Sequence, residues 1–152
     1  MKKSITYTVP GNPVGKSLMP VKRGHFAGID NTKPTEAYMD SVAAFTQHII
    51  GTDWTPLDCA VCVTLMAVFK RPQDLLKRST RTGLLLHADE RRMPYIAKPD
   101  CDNVSKAVLD ALTRAGLWRD DSQVQREQIE KWYAAINEVP HLEITIEWEP
   151  VL

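Results

Sequence analysis

The sequence predicts a single domain of the α/β (α+β) class, in which a mixed β-sheet packs against helices. Two observations lead to this class: strand-like and helix-like hydrophobic patterns follow one another along the chain, and 152 residues leave room for about one hydrophobic core. We therefore expect residues 1–152 to form one domain. With 43% hydrophobic and 25% charged residues, the composition is ordinary for a globular protein and excludes collagen-like and broadly disordered classes.

The N-terminal third carries the patterns of one strand and one helix. Apolar and polar residues alternate up to Pro10, which predicts a strand, and the turn-forming residues of Gly11–Asn31 predict a long loop. The segment Thr35–Ile50 has apolar residues at helical spacing and is followed by Gly51, a residue type that commonly ends helices. The apolar residues are Ile5, Tyr7 and Val9 in the strand and Ala37, Val42, Phe45, Ile49 and Ile50 in the helix.

The apolar run Leu57–Phe69 predicts a central strand covered on both faces. Cys59 and Cys62 within it have the C-x-x-C spacing of metal ligands, but residues three apart on a strand face opposite sides, so we expect them to belong to the core. The run is too short to span a membrane, which takes about 20 apolar residues. An odd number of cysteines and the polar residues after Lys3, where a secretory signal would be apolar, predict a reducing, cytoplasmic compartment and no membrane partner.

The helix that follows Asp102 has the clearest pattern in the chain. Asp102 is a typical N-cap residue, Gly116 is a typical C-cap residue, and Arg114 lies in the last turn beside the negative end of the helix dipole. Lys106 lies one turn after Asp102 and opposite the apolar face, so both polar side chains are expected to point away from the core. The apolar face consists of Val104, Ala107, Val108, Ala111, Leu112 and Ala115.

Two segments near the C terminus differ in how clearly their hydrophobic patterns predict secondary structure. Strict alternation over Leu142–Trp148 predicts a half-buried strand. Residues Val124–Ile136 fit helical spacing about as well as strand alternation. The pattern alone favours a helix there, which Ser122 could cap.

Charge is unevenly distributed along the chain. There are 19 Lys+Arg and 19 Asp+Glu, so no net basic field attracts a polyanion. Residues 1–33 and 70–98 each carry a net charge of +5, whereas residues 34–69 and 99–152 carry −4 and −6. The two basic segments could flank an acidic site and bind nucleic-acid phosphates, although a solvated loop surface is the alternative interpretation. The candidate DNA-binding residues are Lys16, Lys22, Arg23, Lys77, Arg78, Arg81, Arg91, Arg92 and Lys98.

The sequence GNPVGKS, residues 11–17, is similar to a phosphate-binding P-loop. A P-loop has four residues between its glycines and continues into a helix. Here only three residues separate Gly11 from Gly15, and the segment after Ser17 runs into Pro20 and Gly24. A basic loop is therefore the favoured interpretation, with a P-loop nucleotide-binding protein as a less favoured alternative.

A second motif, KPDCDN, begins the best-defined helix, and WRDDSQ follows its far end. If the entry to the helix is extended, Asp100 and Asp102 project to the same side and form a pair of carboxylates. Two such carboxylates repel unless a cation joins them or one is protonated, and hard oxygen ligands suit Mg²⁺ or Mn²⁺. A helix of about 14 residues is about 21 Å long, so WRDDSQ approaches Asp100 only if the chain turns back or a neighbouring strand carries it there. Asp120 is either an outer partner of the site or a turn residue.

Lys98–Val124 resembles the signature of the RusA family of Holliday-junction resolvases. The resemblance consists of D-x-D-N, a lysine four residues after the second aspartate, an apolar helix with D-A-L, an aromatic residue and D-D-x-Q. The V-P-G-x-P sequence at Val9–Pro13 and the order of the predicted elements also fit the plan of the family.

The resemblance implies a fold, an activity and a set of site residues. It implies an intertwined homodimer of mixed α/β fold that cuts four-way DNA junctions with Mg²⁺, or with Mn²⁺ in its place. Carried over to this sequence, the metal ligands are Asp100, Asp102 and Asp121, with Lys106 as a catalytic cation. The resemblance also implies a strand, antiparallel to the last one, at Val124–Ile136, and we adopt that prediction. A non-catalytic junction-binding or DNA-binding protein is the alternative function.

Overall fold

The computed structural model describes residues 1–151, which form seven strands and two helices. In chain order these are β1 (Lys3–Pro10), β2 (Leu18–Arg23), β3 (Phe26–Asn31), α1 (Lys33–Ile50), β4 (Val61–Phe69), β5 (Met93–Pro94), α2 (Cys101–Arg114), β6 (Val124–Tyr133) and β7 (His141–Trp148).

The main sheet has the strand order β1-β7-β4-β6-β5, and β2 and β3 form a separate hairpin. Strand β4 pairs with β7 in antiparallel and with β6 in parallel orientation, so the sheet is mixed. Residues of α1 and α2 belong to the same buried cluster as one face of this sheet. The predicted architecture of a mixed sheet against helices is therefore confirmed.

Strand β4 is the centre of the molecule, as predicted, but it begins at Val61 rather than at Leu57. Leu57 instead forms an isolated bridge with Trp118, just beyond α2. Burial alternates along most of β4, so one of its faces is fully covered and the other is only half-buried. The predicted cover on both faces is thus only partly correct. Cys59 is buried in the core, as predicted, whereas Cys62 is only half-buried and lies outside the core cluster; both are free thiols.

The prediction of a loop over Gly11–Asn31 is wrong, because residues 18–31 form the β2–β3 hairpin around Gly24, which has a φ of 61°. The hairpin buries almost nothing within the chain: Phe26 and Ile29 are 64% and 69% exposed. A strand pair with neither face buried has no alternation of hydrophobicity to reveal it.

Helix α1 matches the predicted segment, and its buried face matches the predicted one in part, since Val42 is buried and Ile50 packs against the core. Phe45 and Ile49 are exposed, whereas Thr35 and Thr46 are fully buried. The hydroxyl of Thr46 donates to the Val42 carbonyl oxygen, 2.8 Å away, which lets a polar side chain lie in the core.

Helix α2 has the predicted apolar face: Val104, Val108 and Leu112 are completely buried. Its start differs from the prediction, since Asp100 occupies the N-cap position and Asp102 lies in the first helical turn. Gly116 follows the C-cap residue and has a φ of 80°, a conformation that favours glycine.

Strand β6 shows that the helix favoured by the local pattern of residues 124–136 is wrong and that the strand implied by the family resemblance is correct. Nine residues of β6 pair with β4, with a register shift between Val61 and Cys62. The direction of β6 is parallel to β4, so with β7 antiparallel to β4 it is also antiparallel to the last strand. Backbone pairing with a central strand has overridden a weak local periodicity.

Neither helix in residues 1–151 is both long enough and apolar enough to cross a membrane.

Replacing Tyr7 by Phe tests a buried hydrogen bond between the sheet and α1. The Tyr7 hydroxyl lies 2.6 Å from that of Thr46, and burial raises the pKa of Tyr7 to about 12. The phenol of the unfolded chain ionises near pH 10, so the wild type loses stability as the pH rises from about 10 to 12. Urea denaturation should show a smaller loss over this range for Tyr7→Phe, and a cost of about 1 kcal/mol at pH 7. Equal slopes in both proteins would contradict the assignment.

Candidate active site

Asp100 and Asp102 lie at the exposed start of α2. The Asp100 carbonyl oxygen accepts the first helical hydrogen bond, from the Val104 amide at 3.1 Å, but its carboxylate makes no capping bond. The side chains of Asp100 and Asp102 are 51% and 69% exposed. Because neither carboxylate is needed to cap the helix, both are available to an external ligand.

Each aspartate has a lysine beside it. Lys98 Nζ is 3.3 Å from an Asp100 carboxylate oxygen, and Lys106 Nζ is 3.7 Å from one of Asp102. Lys106 points away from the core on the same side as Asp102, as predicted. Exposed pairs of this kind contribute little to stability, so both cations can move towards another anion at small cost.

The loop before β2 packs against the start of α2. The Lys16 amide donates to the Asn103 carbonyl oxygen at 2.8 Å, and its ammonium forms an ion pair with Asp110. A Cβ atom added to Gly15 would lie 2.5 Å from the Pro99 Cβ, so the contact needs glycine. This loop supports the turn that carries Asp100.

The P-loop alternative has no support in this geometry. Ser17 leads into strand β2 rather than into a helix. The Lys16 and Ser17 amides, which a P-loop would offer to phosphate, donate to Asn103 and Thr35 instead.

Asp121 lies beyond the opposite end of α2, in a short 3-10 turn over residues 121–123. The neighbouring Asp120 carboxylate accepts from the Ser122 amide at 3.2 Å, and this hydrogen bond lowers the pKa of Asp120. Asp120 therefore stabilises this turn, which is one of the two roles considered for it. The exposed Asp121 carboxylate lines a shallow depression with Asp110, Thr113 and Arg114.

The three predicted metal ligands do not converge within one chain. Residues 1–151 contain no group of three His, Cys, Asp or Glu side chains placed to hold a metal ion together. Asp100 and Asp121 flank a helix of 14 residues, about 21 Å long, and Asp121 lies before β6, the strand that leads back towards Asp100.

The first and last turns of α2 nevertheless share one outward-facing line of residues, called here the outward stripe. Asp102, Lys106, Leu109 and Thr113 follow one another at spacings of four, three and four residues, so they lie along one line. Asp102 and Lys106 line one depression with Leu109, Glu127 and Ile129. The depression that contains Asp121 begins at Thr113, further along the same line.

Most of the candidate DNA-binding residues already have ion-pair partners within the chain. Arg92 is the most firmly held: its guanidinium contacts Glu138 at 2.6 Å and Glu143 at 2.8 Å, and the Glu138 hydrogen bond raises the pKa of Arg92. In residues 1–151, Lys22 and Arg81 are exposed and have no such partner. The other pairs are Lys16–Asp110, Arg23–Asp30, Lys77–Asp74, Arg78–Glu90, Arg91–Asp89 and Lys98–Asp100.

The donor set at the start of α2 fits a hard divalent cation. Mg²⁺ is commonly bound in proteins by one or two carboxylates, with waters and substrate phosphate oxygens completing its octahedral shell. Asp100 and Asp102 provide two exposed carboxylates of that kind, free of backbone hydrogen bonds from the helix terminus.

The fold and the pair of aspartates at the start of α2 are together typical of a nuclease family. The family model described as "Endodeoxyribonuclease RusA" matches residues 10–147, and the chain belongs to this family. Proteins named crossover junction endodeoxyribonuclease RusA from Escherichia coli K12 and from Enterobacteria phage 82 are each 42% identical over 57 residues. That stretch is 38% of this chain and 46% of each relative, so the alignment spans about half the length of the curated relatives.

Sequence reasoning missed one residue beside this site. Lys131 of β6 donates to the carbonyl oxygens of Ala97 and Pro99, directly before Asp100. A lysine in the acidic strand sequence REQIEKW gives no sign of this contact, because it depends on the pairing of β6 with its neighbours.

Replacing Gly15 by Ala tests the support of the Asp100 turn. The new Cβ meets the Cβ atoms of Pro99 and Asn103, at 2.5 and 3.3 Å, and neither can rotate away. We expect a loss of about 1–3 kcal/mol in the free energy of unfolding, measured with urea. Gly28→Ala is the control, since its Cβ would meet only the ring of the exposed Phe26, which can turn aside. Equal losses in the two variants would contradict the tight contact.

Proposed function

We propose that this protein is a metal-dependent endodeoxyribonuclease that cuts four-way DNA junctions in DNA recombination and repair. The observation that carries the proposal is the exposed Asp100–Asp102 pair with Lys106 at the start of α2, in a chain that belongs to the RusA endodeoxyribonuclease family. The names of the relatives supply the substrate class, a crossover junction.

Asp100, Asp102 and Asp121 would hold Mg²⁺, or Mn²⁺ in its place. When bound, the ion would supply an activated water and neutralise the charge that develops on the phosphate. Lys106 sits one turn from Asp102 and would help to balance the same charge, since its exposed ammonium can move from the carboxylate to a phosphate oxygen. The side-chain positions of Asp100, Asp102 and Lys106 support a site for metal and phosphate at the start of α2.

The separation of the acids leads us to propose a homodimer with composite sites. A two-fold axis across the middle of the outward stripe, near Lys106 and Leu109, would set the α2 helices of two copies antiparallel. Asp121 of each copy would then approach the Asp100–Asp102 pair of the other. The half-exposed Leu109 and Ile129 supply apolar surface for this contact. Two equivalent sites would suit the two strands that must be cut in a four-way junction.

Junction arms would be bound mainly through phosphates. Lys22 in the β2–β3 hairpin and Arg81 in the loop after β4 are exposed cations free of carboxylate partners in residues 1–151. The other candidate arginines and lysines already form ion pairs and would have to exchange a carboxylate for a phosphate. We therefore expect Lys22 and Arg81 to contribute most per residue to salt-dependent binding.

Replacing Asp100, Asp102 or Asp121 by Asn should abolish cleavage of a synthetic four-way junction in Mg²⁺. We expect a fall of at least about a hundredfold, since each change removes a charged metal ligand. Junction binding without metal should be kept or strengthened, because a negative charge has been removed from the DNA-facing surface. Cleavage is measured on gels and binding by fluorescence anisotropy.

Asp120→Asn is the matched control for these variants. It removes a charge beside Asp121, and Asn can still accept the hydrogen bond from Ser122. Its cleavage rate should stay near that of the wild type. Undiminished nicking by all three site variants would refute the nuclease, and a wild type that binds junctions but cuts none with any divalent ion would favour a non-catalytic binding protein.

Mixing two inactive variants tests the composite site. In a dimer of one Asp102→Asn chain and one Asp121→Asn chain, one site carries both changes and the other carries neither. Refolding the two variants together should thus restore nicking, to about one quarter of the wild-type site number if the chains pair at random. No recovery from a mixture that is shown to contain mixed dimers would place all three ligands in the same chain, contrary to the proposal.

A further inference from the structure

A lysine on β6 has an unusual set of partners close to the proposed metal site. The ammonium of Lys131 donates to the carbonyl oxygens of Ala97 and Pro99 at 2.9 and 2.8 Å. It also lies 4.9 Å from the centroid of the Tyr95 ring, within the range of a cation–π contact. Within residues 1–151 its partners are thus backbone oxygens and an aromatic face, whereas most cations of this chain pair with a carboxylate.

The segment that Lys131 holds leads directly into Asp100. The Tyr95 amide donates to the Lys131 carbonyl oxygen at 3.1 Å. The Tyr95 hydroxyl donates to the Lys98 carbonyl oxygen. The Tyr95 ring stacks on Phe69 of β4 at a centroid distance of 4.0 Å. Residues 95–99 are therefore fastened to the sheet at their start by the aromatic ring and at their end by the ammonium.

Fastening at the end of this segment acts together with the packing of Gly15 against Pro99 to hold the turn that carries Asp100. The Asp100 carboxylate makes no capping bond, and its neighbour Lys98 is 86% exposed. The Pro99 carbonyl that Lys131 holds belongs to the peptide group joined to the Asp100 nitrogen. Removing the ammonium would leave two carbonyl oxygens without their donor and release the turn that sets the direction of Asp100.

We propose that Lys131 is a positioning residue for the metal-binding carboxylate of Asp100. The inference rests on the proposed function and adds to it a residue on a different element, β6, that acts through the backbone of residues 97–99. Outer partners that orient metal ligands typically change metal affinity by about 10–100-fold when they are removed.

Mn²⁺ titration of the full chain, followed by the electron paramagnetic resonance signal of free Mn²⁺, tests this role without depending on activity. Lys131→Met keeps the aliphatic stem but loses both hydrogen bonds, and it should raise the Mn²⁺ dissociation constant about tenfold. Lys131→Arg, which keeps donors and charge, should recover part of the affinity. Lys131→Gln keeps one amide donor and replaces Lys131→Met if that variant does not fold.

Lys3→Met is the matched control, because it removes the same charge from an exposed position on β1. It should bind Mn²⁺ like the wild type, which separates a local effect from a change in net charge. Junction binding in EDTA should be unaltered in Lys131→Met, whereas a phosphate-binding lysine would lose affinity and lower the salt dependence.

The outcomes distinguish this inference from the proposed function. Wild-type binding of Mn²⁺ with unchanged affinity in folded Lys131→Met would overturn the role of Lys131 alone, even if its melting temperature fell. Weakened junction binding with unchanged Mn²⁺ affinity would overturn it in favour of a DNA contact. A wild type that binds no Mn²⁺ would overturn the proposed function and this inference with it.

Discussion

Burial of one face of α2 against the sheet is the constraint on which the site depends. Val104, Val108 and Leu112 are fully buried, and each such side chain contributes about 1.5–3 kcal/mol when it leaves water. The helix therefore cannot rotate about its axis without exposing them. Successive residues differ by about 100° around a helix, so the same contacts that bury this face also direct Asp102 and Lys106 towards solvent. The orientation of the polar groups follows from hydrophobic packing.

The parallel pairing of β4 and β6 explains why the acidic residues are divided. A chain that leaves one strand and enters a parallel neighbour must first return to the edge where the first strand began, and α2 makes that return. The segment that leads into Asp100 accordingly lies near the ends of β4 and β6, where Tyr95 stacks on Phe69 and Lys131 binds the Pro99 carbonyl. Asp121, in contrast, directly precedes β6. One chain thus presents its acidic residues at opposite ends of the parallel strands β4 and β6.

How much the sequence could predict depended on whether an element buries a regular face. Helix α2 and strand β7 each bury one face, and the boundaries of both were predicted to within a residue or two. The β2–β3 hairpin buries neither face, so Phe26 and Ile29 gave no usable alternation. In β6 the local period favoured a helix, and only the family resemblance indicated the strand. The resemblance also supplied the site residues, whereas the contact of Lys131 with Pro99 needed coordinates, because it joins residues that are distant in sequence.

Gln123, the last residue of the D-D-x-Q motif, has a structural role. Its side-chain oxygen accepts from the Arg119 and Asp120 amides, both at 3.0 Å, and its nitrogen donates to the carbonyl oxygens of Leu57 and Cys59 at 2.9 and 3.0 Å. Deamidation to glutamate would leave the two amide contacts intact but set a carboxylate oxygen against two carbonyl oxygens. Deamidation of Gln123 would therefore drive the turn that carries Asp120 and Asp121 apart from the segment that leads into β4.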